Sequence, residues 1–325
     1  MSALLFNEKT KRLLADNTPF LFIINFDKSI AQAFTFEEAA ENGIFFTVNG
    51  KANDGNVPKV SSMQTPTIDV KPFPFESYLK GFENVVHHLK KGNSFLVNLT
   101  FPSKLKSSAD LSEIYQAANA PYKLLYQHQF VCFSPESFIK IKGDCIYSYP
   151  MKGTIDATIE NAQEILLSDP KEQQEHNTIV DLIRNDISMV AREVEVLKFR
   201  YLQKIKTAKG EIWQTSSEIR GRLQKDWKTN FGNLLLNMLP AGSISGAPKP
   251  QTLKIIQESE NYERGFYTGV FGIFDGEEID CGVAIRFIEK VGDAYWYKSG
   301  GGITHQSNVK EEYIELIKKI YIPTV

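Results

Sequence analysis

Strand-like and helical stretches come in blocks along this chain instead of alternating, and that order constrains the fold more than any single motif. From Asn7 to about Thr47, apolar strand-like runs such as PFLFIINFD mix with a short helical stretch, TFEEAAENG. Residues 49 to 74 form a Gly/Asn/Pro/Ser-rich connection, the one loose segment expected. Next, Tyr78, Phe82, Val85, Val86 and Leu89 share a helical face that Gly92 ends, after which Phe95, Val97 and Leu99 alternate as in a strand. Asp110 and Glu113 form a capping-box pattern ahead of another helix, followed by strand-like LLYQHQFVCF and FIKIKGDCIYSY. A long helix then carries Glu175, with strands near 194 to 199 and 211 to 214 and helices near 229 to 239 and 250 to 258. Strands fill Gly269 to Ser299, and a helix from about 308 to 321 closes the chain. Neither a regular βαβ alternation nor a repeat of fixed period is present, so a doubly wound sheet or a solenoid fits badly. An α+β sandwich of antiparallel sheets fits better.

With 325 residues, 42% of them hydrophobic, the chain can bury one large core or two smaller ones. A net charge of -2 with mixed Lys, Arg, Asp and Glu gives no basic stripe to follow a phosphate backbone, which argues against nucleic acid as a partner. Charges arrive early, in NEKTKRLL, and no apolar run approaches the roughly 20 residues that span a bilayer. No membrane association and a cytoplasmic location are expected. Cys132, Cys145 and Cys281 are widely spaced and flanked by apolar or strand-like sequence, as buried thiols would be. No GxGxxG follows a strand and no GxxxxGK[ST] occurs.

Chemistry-bearing residues fall in several short segments. Glu172 and Glu175, in KEQQEHNTIVDLIRND, and Glu312 and Glu315, in KEEYIELIKK, are pairs at helical spacing, so each pair presents both carboxylates on one face. Facing each other, they would hold a hard cation such as Mg²⁺, some ligands acting through water. Alone, each pair also reads as the wet face of an amphipathic helix, and Glu315 is placed to pair with Lys319 at i,i+4. The apolar run Ile179, Val180, Leu182, Ile183 behind His176 suggests that the first helix is mostly buried, where acidic groups need a partner. Lys152, in Pro150-Met151-Lys152-Gly153-Thr154, follows a proline-initiated turn and is either a solvated lysine or a nucleophile. To attack carbon it must be neutral, which requires desolvation or nearby positive charge. Glu136, in SPES, is either a surface residue on a turn or a general acid. Gly300-Gly301-Gly302 reads as a turn or as a backbone nest for a carboxylate. LPAGSISGAPK, with Pro248 near N1, reads as a helix cap or an anion site, and Arg286 ends a strand as a clamp or a surface arginine.

In order and wording, GNSFLVNLT, SPES, PMKGT, EHNTIVDLIRND, LPAGSISGAPK, ERGFYTGVFG, VAIR and SGGGITHQS followed by EEYIE resemble the chorismate-utilising enzymes. The resemblance implies an α+β fold over residues 1–325 as one catalytic domain, two antiparallel β-sheets in a sandwich flanked by helices, with the active site in the cleft between them. A short N-terminal section, about 1–74, would lead into a core of about 75–325. Within the family the PMKGT lysine and the VNL ending are most like aminodeoxychorismate synthase component I; anthranilate and isochorismate synthases typically carry a small residue at the lysine's place. Anthranilate synthase component I and a non-catalytic chorismate-binding subunit are the alternatives.

The resemblance further implies a mechanism. Mg²⁺ held mainly by Glu175 and Glu315, with Glu172 and Glu312 in support, would bind the ring carboxylate of chorismate. Lys152 would attack C2 as the C4 hydroxyl leaves, Glu136 protonating the departing oxygen. Ammonia would then add at C4 and expel the lysine, giving 4-amino-4-deoxychorismate on the route to 4-aminobenzoate and folate. Thr154, Ser243, Tyr267, Arg286, Gly301 and Gly302 match substrate-binding positions. A histidine tied to pyruvate elimination is replaced by Gln214, which disfavours anthranilate or salicylate formation; Leu96 stands where many ammonia-dependent members carry glutamine and isochorismate synthases a water-activating lysine. No Leu-Leu-Glu-Ser pattern for tryptophan is evident. No cysteine lies in a glutaminase context, so a separate glutamine amidotransferase subunit is expected to supply the ammonia, and another protein the lyase step to 4-aminobenzoate.

Overall fold

A computed structural model describes residues 2–57, 66–207 and 210–324. Two nine-stranded sheets, with every pairing antiparallel among the described residues, make the α+β sandwich that the block order implies. In the first sheet the central strands Ser137–Lys142, Glu278–Val283, Val270–Phe274 and Phe20–Ile24 lie side by side. In the second, Leu96–Ser107, Ala294–Ile303, Phe287–Val291, Phe130–Ser134, Tyr122–Tyr126 and Ile44–Val48 do so. Leu21, Ile23 and Phe271 from one sheet meet Phe46, Leu124 and Phe287 from the other in a fully buried layer. Alternation along each strand sends one set of side chains to this layer and the other outward. Helices cover the outer faces: Pro170–Ser188 and Phe231–Met238 on the first sheet, and Phe75–Lys90, Lys249–Glu260 and Val309–Lys318 on the second. Among the described residues no helix is long and apolar enough to cross a membrane.

Several local expectations need correction. A helix over Ala3–Ala15 was not read from the sequence, although Ser2 caps it and Phe6, Thr10, Leu13 and Leu14 form its buried stripe; the charges between them mask the period. From the N-terminal section, Phe20–Ile24 joins the first sheet and Ile44–Val48 the second. Within the loose connection, residues 58–65 lie outside the described residues, and its flanks form short strands, Lys51–Ala52 and Ile68–Lys71. The strands near 194 and 211 extend into a long hairpin, Arg192–Thr207 with Gly210–Arg222. Its polar ends show no apolar alternation, but cross-strand ion pairs such as Lys198–Glu218 and Lys204–Glu211 support them. Phe95 precedes its strand and is 71% exposed at the mouth of the cavity described next.

Candidate active site

A cavity of about 780 Å³ opens between strands of both sheets and two helices, Pro170–Ser188 and Val309–Lys318. Its size suits a small organic acid. The first helix begins at its Asp169 cap, whose carboxylate accepts the Lys171 and Glu172 N–H groups. From there Glu172, Glu175, Thr178, Ile179 and Ile183 descend along one helical stripe into the cavity. The second helix contributes Glu312, Glu315 and, just past its end, Lys319 by the same spacing. Of the residues expected to form the site, Glu136, Lys152, Glu172, Glu175, Ser243, Tyr267, Arg286, Gly301, Gly302, Glu312 and Glu315 all line this space. Thr154 does not: it is exposed on the strand Met151–Asp156, opposite Gln214, and neither residue borders the cavity.

Lys152 reaches the cavity because its strand is irregular. It is not on a turn, as expected, but in Met151–Asp156, where the register against Gly210–Arg222 passes from Met151–Ser216 to Thr154–Gln214. Three steps on one strand oppose two on the other, so the extra residue bulges and re-aims the side chain. Gly153 supplies the positive φ of 88°, and a Cβ there would stand 2.8 Å from Glu172 Oε2. The Lys152 ammonium lies 2.7 Å from Glu175 Oε2. Burial alone would lower its pKa, but Glu175, Glu315 and Glu172 outweigh that and hold it above the ordinary lysine range. As it stands the amine is protonated and has to lose a proton before it can attack carbon.

A second ammonium mirrors the first: Lys319 Nζ is 2.6 Å from Glu315 Oε1 and donates to the Gly300 carbonyl at 2.9 Å. Burial opposes ionisation of Glu315, yet Lys319 and Lys152 keep its carboxyl below the usual range. Glu312 and Glu172 are pushed up, in both cases chiefly by burial, with neighbouring carboxylates adding to it. The Ser307 hydroxyl donates to Glu312 at 2.8 Å, while Glu172 Oε2 is buried without a partner. Among the described residues no three His, Cys, Asp or Glu side chains are gathered closely enough to hold a metal ion as they stand. Lys152 pairs with Glu175 and Lys319 with Glu315, one ammonium to each helix's carboxylates. The oxygen donor set and the orphaned Glu172 oxygen nevertheless fit the chemistry of a hard divalent ion.

Glu136 sits between the strands Phe130–Ser134 and Ser137–Lys142, with a little exposure through the cavity. Burial raises its pKa above the usual carboxylate range, although Ser243, Arg286, Lys319 and Lys152 oppose the shift. Arg286 lies beyond the strand Glu278–Val283, not at its end, in a left-handed conformation with φ 53°. Its guanidinium stacks 5.0 Å over Tyr321, no ion pair engages it among the described residues, and its Nε is buried without a partner. The three glycines do not form a nest: they are extended in Ala294–Ile303 and pair with Asn98–Thr100, so successive N–H groups point oppositely. At Gly301 a Cβ would stand 3.3 Å from Glu315 Oε1, a tight contact that the glycine avoids. Pro248 is the cap of the helix Lys249–Glu260, not its first residue, and Ser243 lies on the short helix Gly242–Ser245.

Sequence reading missed Asn98, Ser137 and Ser299, and saw Lys319 only as a partner for Glu315. Six buried side-chain atoms lack a hydrogen-bond partner among the described residues, and five of them, on Asn98, Ser137, Glu172, Arg286 and Ser299, border this cavity. Unpaired buried polar atoms are costly unless a ligand satisfies them. Spacing could have found Asn98, which shares a strand face with Leu96, and Lys319, which shares a helix face with Glu315.

The family described as chorismate binding enzyme matches residues 33–324. The chain belongs to that family. A Haemophilus influenzae protein named "Uncharacterized PabA-like protein" is 49% identical over 318 residues, covering 98% of this chain and 96% of its own length. "Aminodeoxychorismate synthase component 1" of Bacillus subtilis is 29% identical over 265 residues, covering 77% of this chain and 55% of itself. The crystal structure of anthranilate synthase component I from Streptococcus pneumoniae superimposes with a TM-score of 0.66 at 25% identity, over 81% of this chain and 60% of that one. This member of the chorismate binding enzyme family thus has relatives bearing both names.

Proposed function

We propose that this enzyme aminates chorismate at C4, using ammonia, to give 4-amino-4-deoxychorismate and water. The observation that carries the reading is the bulged Lys152, whose amine projects into the cavity beside the carboxylates of both helices. Arg286, positively charged and short of partners, is suited to a substrate carboxylate, with Tyr267 beside it in the lining. Mg²⁺, held by Glu175 and Glu315 with Glu172 and Glu312 in support, would supply positive charge that binds the ring carboxylate and lowers the pKa of Lys152. The neutral amine of Lys152 forms a bond to C2 as the double bond shifts and the C4–oxygen bond breaks. Glu136, whose pKa burial raises, gives its proton to that oxygen, which departs as water. Ammonia then bonds to C4, the C2–nitrogen bond breaks and returns the electron pair to Lys152, and the surplus ammonia proton passes to Glu136. Atoms balance as chorismate plus ammonia giving aminodeoxychorismate plus water.

The test is mass spectrometry of the products formed from chorismate, Mg²⁺ and concentrated ammonium at mildly alkaline pH. A product that gains nitrogen and keeps its enolpyruvyl group, and that Lys152→Ala no longer makes, is expected. Anthranilate with free pyruvate would replace this reading by the anthranilate synthase one, and unreacted chorismate would point to a binding subunit.

A further inference from the structure

The bulge that frees Lys152 also removes its backbone from the ladder, and a buried imidazole stands where a strand partner would be. Neither Lys152 nor Gly153 has a register partner on Gly210–Arg222. The Lys152 carbonyl instead accepts the Thr215 hydroxyl. His176 Nδ1 lies 3.4 Å from that same carbonyl oxygen and 3.4 Å from Thr215 Oγ1. Across the ring, Nε2 is 2.7 Å from Ser217 Oγ, which accepts the Arg200 N–H at 3.0 Å. The imidazole is fully buried, with the Phe199 ring edge-on at 5.6 Å.

These partners decide the tautomer. A carbonyl oxygen only accepts and the Thr215 proton is already committed to it, so Nδ1 must carry a proton and share it between the two oxygens. Nε2 is then the acceptor and takes the Ser217 hydroxyl proton, while Arg200 uses a lone pair of the same oxygen. His176 follows Glu175 directly, and Glu175 grips the ammonium of Lys152. One helical turn therefore holds Lys152 at both ends, its amine through Glu175 and its carbonyl through His176.

We propose that His176, as the Nδ1–H tautomer set by Ser217, is a positioning residue that fixes the direction in which Lys152 leaves its strand. The inference rests on the reading of Lys152 as the nucleophile. Two near-isosteres separate positioning from packing: asparagine places an amide N–H near the Nδ1 position, glutamine near the Nε2 position. His176→Asn is expected to lower kcat about threefold and His176→Gln about thirtyfold, with KM for chorismate little changed, because a misplaced group of about 1 Å costs up to about 10²-fold in rate.

A readout independent of turnover comes from acylating the parent chain and both variants with a small amine-directed reagent and following Lys152 by peptide mass spectrometry. Acylation is expected to speed up in His176→Gln, where the amine drifts from Glu175, and to change less in His176→Asn. Imidazole ¹⁵N shifts should show Nδ1 protonated in the parent. Equal losses in both variants with unchanged Lys152 acylation, or a proton on Nε2, overturn the proposal. If the parent chain makes no aminated product, the nucleophile reading fails by itself, and the acylation order and the tautomer still decide whether His176 positions Lys152.

Discussion

Glu136 places catalytic use and stability in opposition within one carboxyl. Burial makes its charged form costly in the folded chain, and the Ser243 hydroxyl with the cations of Arg286, Lys319 and Lys152 only partly offsets this. Its folded-state pKa therefore lies above the unfolded one. The sign follows: Glu136 contributes stability below the unfolded value, and that contribution is lost as pH rises through the folded value. Glu136→Gln, uncharged at every pH, should abolish amination and still raise the melting temperature, more above neutrality than in mildly acidic buffer. Thermal melts of both proteins across pH check this; a glutamine variant less stable at every pH would show that the carboxylate is welcome where it sits. How far such residues were legible depends on distance along the chain. The glutamate pairs were visible because helical spacing is local. Asn98 could have been found by its two-residue spacing from Leu96, whereas Ser137 and Ser299 could not, because what marks them is an unsatisfied atom beside a cavity that only the assembled sheets create.

Helix Pro170–Ser188 carries the site at one end and is anchored at the other. Asp186 is buried, 2.5 Å from Lys249 Nζ, and accepts the Gly242 N–H at 2.7 Å. Lys249 also donates to the Met238 carbonyl. Burial drives Asp186 up and Lys249 down in pKa, so each charge is tolerated mainly because of the other. Through the Gly242 N–H, this pair fastens the helix bearing Glu172 and Glu175 to the short helix Gly242–Ser245 bearing Ser243. Removing one partner should cost about 3–5 kcal/mol, the usual penalty of an uncompensated buried charge. Replacing both, with Asp186→Leu and Lys249→Met together, should cost less than Asp186→Ala alone. Melting temperatures of the three proteins decide it, and additive losses would mean that the two charges do not depend on each other. The elements themselves were legible wherever one face is apolar, as in Phe75–Lys90 and the capped Leu111–Ala117. They were illegible where tertiary partners override pattern: the polar hairpin ends, and the bulge at Lys152, at which Gly153 is the one local hint.

At the scale of the whole molecule, the question is where the nitrogen comes from. Hydrolysing glutamine through a thiol requires a reactive thiolate, exposed and held at lowered pKa. Cys132 and Cys281 are fully buried in the sheets, and burial pushes both thiols up. Cys145, partly exposed, stands at the start of the strand Cys145–Ser148, and its thiol donates to the Asp144 carboxylate at 3.5 Å. None of the three borders the cavity. On the amination proposed above, ammonia would therefore have to reach the cavity ready-made. Glutamine alone should support no amination by this chain at any concentration, ammonium should support it increasingly as pH rises and more of it becomes ammonia, and a glutamine amidotransferase added with glutamine should replace ammonium. Product formation measured under the three conditions checks the argument. Turnover with glutamine alone would require a nucleophile that none of these cysteines provides.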